Sequence, residues 1–240
     1  ATMARHLREK AECTESALPP KGNTMRLVAA ALLAAFAAPS AFASAYWTDW
    51  TSAAASSVSG TLSVGSSNVS VVYSGPYSGA QTAGGTNYWL PNVYTSATVP
   101  NGPPDSDIIQ FSTGGTKTIT FSQSVSNPLI GLVSWNGNTV NFGAPISVLS
   151  NGCGYWGCGT PVINGAGTGF FGNGEVHGVI QLLGDYTSIT FTDTSEGWHG
   201  ITVGVLGLTP DPVTGKVPEP TSLALIGGAL AALAAARRKR

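Results

Sequence analysis

Acidic and histidine side chains that could do acid–base chemistry are concentrated in the second half of the chain. Glu175, Asp193 and Glu196 lie within one short stretch, and His199 follows closely. A pair of carboxylates is the catalytic machinery of most glycosidases, and a histidine can act as a general acid or base. One hypothesis is therefore a secreted carbohydrate-active hydrolase that uses Glu175 and Glu196. We favour the alternative, in which these acids accept hydrogen bonds from loop amides and no residue is catalytic.

Two sets of side chains could bind a metal ion. Asp105 and Asp107 could ligate Ca²⁺, but calcium takes about six to eight oxygen ligands, so these two acids would supply a small part of the site. A zinc site would need His177 and His199 in addition to two cysteines. We therefore predict no metal or other cofactor, with Ca²⁺ as the open alternative.

Cys153 and Cys158 lie in the motif C-G-Y-W-G-C, inside a glycine-rich segment. Export, which both ends of the chain indicate, would place this even number of cysteines in an oxidising compartment, and a disulfide is then expected. Closing so short a loop contributes about 2 kcal/mol in the chain-entropy model. The bond would hold a loop that presents Tyr155 and Trp156.

Tryptophan is abundant, with six residues in the chain, all of them in its middle part. Exposed ring faces can stack on the apolar face of a sugar, whereas buried rings fill the cores of β-sandwiches. Trp89, Tyr155 and Trp156 lie in polar, loop-like sequence and are the candidates for sugar stacking. Trp135 and Trp198 lie in or beside apolar strands, so we expect both in the core.

The elements that must position these residues are short β-strands. Strand-like runs recur between residues 46 and 207 with turn residues between them, and several alternate polar with apolar residues. In Thr116–Phe121, Lys117, Ile119 and Phe121 share one face. We find no sustained helical periodicity in this region. The pattern predicts an all-β domain, a two-sheet antiparallel β-sandwich that is jelly-roll-like, since one open sheet would leave long edges unprotected. The runs are 60–64, 69–73, 107–111, 116–121, 129–135, 139–142, 146–149, 176–183, 188–192 and 200–206.

Charge is scarce and unevenly distributed. Charged residues make up 10% of the chain, against about a quarter in an ordinary domain. Between residues 46 and 208 there are seven acids and a single base, Lys117, which leaves a net charge of −6. A surface with one cation cannot neutralise a phosphate backbone, so nucleic-acid binding is excluded.

The N-terminal region has the features of a secretory signal. Residues 1–24 are charged and irregular, and we interpret them as an upstream extension, or alternatively as a long n-region. Residues 25–45 then show a positive charge, the apolar run 27–38 and small residues. Cleavage is predicted after Ala43 or after Ala45, since both follow an A-x-A pattern. A buried core helix is the alternative interpretation of the apolar run.

The C-terminal region, residues 217–240, combines a proline-containing motif, an apolar helix and a terminal basic cluster. The helix, from 221 to 236, would be about 24 Å long, close to the roughly 30 Å of a bilayer core. The cluster would stay in the cytoplasm, so we predict a single transmembrane helix preceded by a linker at 208–216. The motif is Pro218, Glu219 and Pro220, and the cluster is Arg237, Arg238, Lys239 and Arg240.

This order of Val-Pro-Glu-Pro, apolar helix and basic cluster resembles the PEP-CTERM sorting domain of Gram-negative bacteria. The resemblance implies that an exosortase, an integral-membrane transpeptidase, recognises Pro218, Glu219 and Pro220 and removes the helix. Proteins sorted in this way are associated with extracellular polysaccharide and biofilm. A plain tail anchor is the alternative. Residues 170–205 also resemble the end of PEP-CTERM passenger domains, which adds fold context and no activity.

We therefore predict an exported protein of the cell surface or biofilm matrix that is transiently anchored in the inner membrane. Its β-sandwich would be non-enzymatic and would contact extracellular polysaccharide.

Overall fold

The structure, a computed structural model, describes residues 44–89 and 93–209. These ranges contain fifteen strands and no helix. Within the same residues no helix is long and apolar enough to span a bilayer. The predicted C-terminal helix lies outside the described residues, as does the predicted signal peptide apart from its last two residues, Ser44 and Ala45. The strands are β1 (Tyr46–Trp47), β2 (Asp49–Ala54), β3 (Ser57–Val64), β4 (Ser67–Ser74), β5 (Gly79–Gln81), β6 (Ile108–Phe111), β7 (Gly115–Ser126), β8 (Leu129–Trp135), β9 (Thr139–Asn141), β10 (Ile146–Gly152), β11 (Gly159–Ile163), β12 (Gly169–Gly174), β13 (Val176–Leu182), β14 (Asp185–Asp193) and β15 (His199–Val205).

The strands form two antiparallel sheets. Sheet A has the order β10-β13-β8-β15-β6-β5, and β1 also pairs with β15. Sheet B has the order β11-β12-β9-β14-β7-β4-β3-β2. The predicted all-β, two-sheet architecture is confirmed for the described part of the chain.

Eight of the strands are nested in the order of a jelly roll. β6 pairs with β15, β7 with β14, β8 with β13 and β9 with β12. Successive pairs alternate between sheet A and sheet B, as they do when one long antiparallel ribbon is rolled across both sheets. The consecutive strands β10 and β11 add one strand to each sheet, and β2–β4 extend sheet B beyond β7.

The main core lies between the sheets and follows the alternation of the strands. Lys117, Ile119 and Phe121 of β7 all face inward, as the sequence predicted, while Thr120 is exposed. The largest fully buried apolar side chains of this core are Trp50, Trp135, Tyr73, Phe111, Phe170 and Phe191.

Sheet A is covered on both faces, which explains why every residue of β8 and β15 is buried. A second apolar cluster packs Leu129 and Val133 of β8 against Trp89 and Tyr94 of the long β5–β6 connection. A strand covered on both faces needs a continuous apolar run instead of alternation, and β8 reads L-I-G-L-V-S-W.

The domain continues slightly beyond the segment that the sequence assigns to it. Leu208 forms a β-bridge with Val125, and the Thr209 hydroxyl donates to Asp185 Oδ1 at 3.1 Å. These first two residues of the predicted linker therefore pack against the sandwich.

Candidate functional site

A β-bulge at the end of β8 directs polar groups towards one end of the sandwich. Two residues of β8 stand opposite a single residue of β13, and Ser134 has a left-handed φ of 58°. Bulges of this kind redirect side chains. The Ser134 hydroxyl donates to Glu175 Oε2, and its backbone N–H donates to His177 Nδ1 at 3.4 Å.

The structure brings together Glu175 and Glu196, the two acids of the hydrolase hypothesis. Both accept hydrogen bonds from the exposed Asn136: its Nδ2 donates to Glu175 Oε1 at 2.7 Å, and its backbone N–H donates to Glu196 Oε1 at 3.0 Å. Glu175 lies between β12 and β13, and Glu196 lies between β14 and β15. We call Glu175 and Glu196 the carboxylate pair, and Asn136 is the residue that bridges them.

A buried row of charges extends inward from Glu196. Glu196 Oε2 lies 3.2 Å from His199 Nδ1, within ion-pair distance although outside hydrogen-bond geometry. His199 Nε2 is 3.0 Å from Asp193 Oδ2, and Asp193 Oδ1 accepts from Lys117 Nζ. Burial alone would lower the pKa of His199, but the contacts with Asp193 and Glu196 outweigh it, so the pKa is raised. The negative charges of the two acids in this row are therefore balanced by the positive charges of its two basic side chains.

His177 is a separate, uncharged group. Its side chain is fully buried and lies 3.3 Å from the Tyr94 hydroxyl. Burial lowers the pKa of His177 to about 4, so the ring is neutral at neutral pH.

The residues considered for metal binding have other partners. Asp105 accepts from Asn87 Nδ2 at 2.9 Å, and Asp107 accepts from the backbone N–H of Trp50 at 3.0 Å. Burial raises the pKa of Asp107 to about 6. Within residues 44–89 and 93–209, no group of three or more His, Cys, Asp or Glu side chains is placed to hold a metal ion.

The predicted disulfide between Cys153 and Cys158 is confirmed. It closes the loop between β10 and β11, where Gly154 and Gly157 also form a β-bridge. Tyr155 and Trp156 at the tip of this loop are 44% and 55% exposed.

Four aromatic rings from separate parts of the chain meet at this loop. Tyr88 lies 5.0 Å from Tyr155 and 4.8 Å from Trp198, measured between ring centroids. Trp156 lies 4.9 Å from Tyr155 and 6.3 Å from Trp198. We call Tyr88, Tyr155, Trp156 and Trp198 the aromatic patch. Packing between rings at these separations holds their relative orientation.

The structure corrects two of the sequence-based expectations for aromatic residues. Trp89, predicted to be exposed for sugar stacking, is 3% exposed and packs edge-to-face on Tyr94. Its polar neighbours in sequence belong to the connection that covers sheet A, so the ring faces inward. Trp198, expected in the core, is half-buried and belongs to the patch, whereas Trp135 is buried as predicted. Sequence reasoning missed Tyr88, for which no local pattern indicates a contact with the disulfide loop.

The aromatic patch and the carboxylate pair adjoin each other. Gly157, next to Trp156, is a neighbour of Glu175, since a methyl group added at Gly157 would lie in ordinary van der Waals contact, 3.5 Å from Glu175 Cγ. Glu196 and Trp198 are two residues apart in the β14–β15 loop. The aromatic patch, which offers a surface for stacking, therefore lies beside the carboxylate pair, which offers hydrogen-bonding groups.

A cavity of about 380 Å³ lies elsewhere, around Trp47 and Asn101, and none of its lining residues belongs to the patch.

Comparison with known proteins bears on the tail and leaves the sandwich unassigned. A family model for the PEP-CTERM protein-sorting motif matches residues 216–240, which are about a tenth of the chain. No curated protein and no solved structure matches the chain. The motif implies processing by an exosortase and display at the cell surface. The chain is thus an exported, cell-surface protein that carries a PEP-CTERM sorting domain.

Proposed function

We propose that the β-sandwich is a non-enzymatic surface or biofilm-matrix module that binds extracellular polysaccharide through the aromatic patch. The observation that carries this proposal is the position of Tyr155 and Trp156, roughly half exposed at the tip of a disulfide-closed loop. Ring faces match the apolar face of a pyranose. A surface held in place before binding loses little conformational entropy when the ligand binds.

The charge of the domain limits the kind of glycan. Lys117, the single Lys or Arg among the described residues, is fully buried and paired with Asp193. Glu175 contributes a negative charge at the edge of the patch, where it accepts hydrogen bonds from the uncharged side chains of Ser134 and Asn136. Uronate or sulfate groups would find no cation on the described surface, so we expect a neutral or amine-bearing glycan as the ligand.

The tail has its own part in the proposal. An exosortase would recognise Pro218, Glu219 and Pro220 after the following helix has anchored the chain transiently in the inner membrane. The basic cluster at 237–240 would remain in the cytoplasm until the helix is removed. These residues lie outside the described part of the structure.

The test compares binding of the exported protein to an insoluble neutral glucan, a polymer of amino sugars and a polyuronate. Trp156→Ala should weaken binding about tenfold or more, since truncation of a central aromatic contact typically has this effect. Phe171→Ala is the matched control, because Phe171 is 44% exposed and lies on β12, outside the patch. Equal binding by the two variants, or no binding of any glycan by the wild type, would refute the proposal.

Convergence of Glu175 and Glu196 on Asn136 supports the second candidate, a carbohydrate-active hydrolase. Hydrolysis would release new reducing ends from the glycan, and Glu175→Gln would abolish that release while leaving binding intact. If wild type and variant both release none from the bound polymers, the binding function is retained and the hydrolase is rejected.

A further inference from the structure

The fold begins before its first strand, at Ala45. The Ala45 backbone N–H donates to Asn101 Oδ1 at 2.9 Å, and its carbonyl accepts from Asn101 Nδ2 at 2.7 Å. We call this two-bond contact the Asn101 clasp. Ala45 is 4% exposed and belongs to the apolar cluster on the outer face of sheet A.

The residues after Ala45 continue this attachment. Tyr46 and Trp47 pair with Val205 and Gly204 of β15, and the Trp47 indole N–H donates to the Asn101 carbonyl at 3.1 Å. The Trp47 ring covers Gly204 so closely that a methyl group there would lie 2.6 Å from it. Ser44, by contrast, is exposed. The boundary between integrated and solvent-exposed chain therefore lies between Ser44 and Ala45.

We propose that the export signal is removed after Ala43, so that Ser44 is the first residue of the mature protein. The sequence allows cleavage after Ala43 or after Ala45, because both bonds follow an A-x-A pattern. Cleavage after Ala45 would remove the residue held by the clasp, and the Asn101 amide would lose both of the hydrogen bonds that it makes there. It would also place the new ammonium group on Tyr46, at the start of β1.

Cleavage after Ala43 has none of these consequences. The new ammonium group would be on the exposed Ser44, where water solvates it, and Ala45 would keep both hydrogen bonds. Signal removal acts on the unfolded chain, so the clasp does not direct the peptidase. The clasp instead indicates which mature protein the fold accommodates, namely the one that begins at Ser44 and keeps both hydrogen bonds between Ala45 and Asn101.

The direct test is N-terminal sequencing of the exported protein isolated from its native host. Ser44 as the first residue supports the proposal. Tyr46 as the predominant first residue overturns it.

A second measurement tests the clasp in the same exported protein. Asn101→Ala should lower the melting temperature by about 4 to 8 °C, as expected for two lost hydrogen bonds in a domain of this size. Asn173→Ala, at an exposed position of β12, is the control and should leave it unchanged. If Tyr46 were the first residue, Asn101→Ala would behave like the control, because no Ala45 would be present to hold. An unchanged melting temperature therefore also counts against the proposal.

Discussion

Several ionisable residues of this domain are buried, and their contacts determine how its stability responds to substitution and to pH. Lys117, Asp193 and His199 are all fully or almost fully enclosed. Removing one member of a buried pair leaves the other charge without compensation, which is much less favourable than removing both.

Asp193→Asn should therefore lower the free energy of unfolding by about 3 to 5 kcal/mol, because Lys117 would keep its buried charge without a carboxylate. The double variant Lys117→Met/Asp193→Asn should be more stable than the single one. Chemical denaturation of both, with the exposed Asp49→Asn as control, measures the difference. A double variant less stable than Asp193→Asn would contradict this account.

The pH response of His177 has a definite sign. Its folded-state pKa is lowered to about 4, while an unfolded histidine titrates near 6.5. Between these values the unfolded chain binds more protons, so the free energy of unfolding falls as the pH decreases from about 6.5 to about 4. His177→Gln should remove roughly 2 to 4 kcal/mol of this loss. Denaturation curves across this pH range test it, and an unaltered slope in the variant would contradict it.

His199 should contribute in the opposite sense. Because its folded-state pKa is raised, its stabilising contribution is complete below the unfolded pKa near 6.5 and is lost as the pH rises through the folded value. The two histidines thus affect different pH ranges, and the His177 variant can be interpreted without a change in His199.

At the scale of elements, the segment formed by β10, β11 and the loop between them is an insertion in the jelly roll that carries two of the four rings of the aromatic patch. Its loop lies between the last residue of one strand and the first of the next and is closed by the Cys153–Cys158 bond. The strand pairings of the two sheets do not involve this loop. The fold therefore depends little on the loop, whereas the aromatic patch depends on it for two of its rings.

The variant Cys153→Ser/Cys158→Ser should lose about 2 kcal/mol of stability and remain folded, while glycan binding weakens because Tyr155 and Trp156 lose their fixed position. Thermal melting and binding to the same glycan, measured on one preparation, separate the two effects. Binding equal to that of the wild type would show that the patch does not depend on the disulfide.

At the scale of the whole molecule, an acidic body is combined with ends that are net basic. Lys117 is buried, so the described residues offer no lysine or arginine to a polyanion. We expect no binding to a polyuronate even at low ionic strength. Binding to a neutral glycan should be almost independent of salt, since stacking involves no exchange of counterions. A sedimentation assay across a salt series measures both, and salt-sensitive binding to the polyuronate would contradict the prediction.

Much about this protein is determined by its sequence alone. Period-two alternation in runs such as Thr116–Phe121 depends on local chain geometry, and it predicted the all-β class and the inward face of β7. Cys153 and Cys158 are close in sequence, so their bond follows from spacing and compartment. The sorting tail is a linear motif that is recognised from its sequence, residues 216–240, without any folded context.

The tertiary structure alone decided which distant residues meet. The aromatic patch combines Tyr88, the disulfide loop and Trp198, and the carboxylate pair joins Glu175 to Glu196 through Asn136. Rolling the ribbon brings these loops to one end of the sandwich, and no local pattern encodes that arrangement. Burial of Trp89 has the same origin, because it depends on a long connection folding back over sheet A. Contacts between residues far apart in sequence depend on topology, whereas periodicity and spacing report on near neighbours.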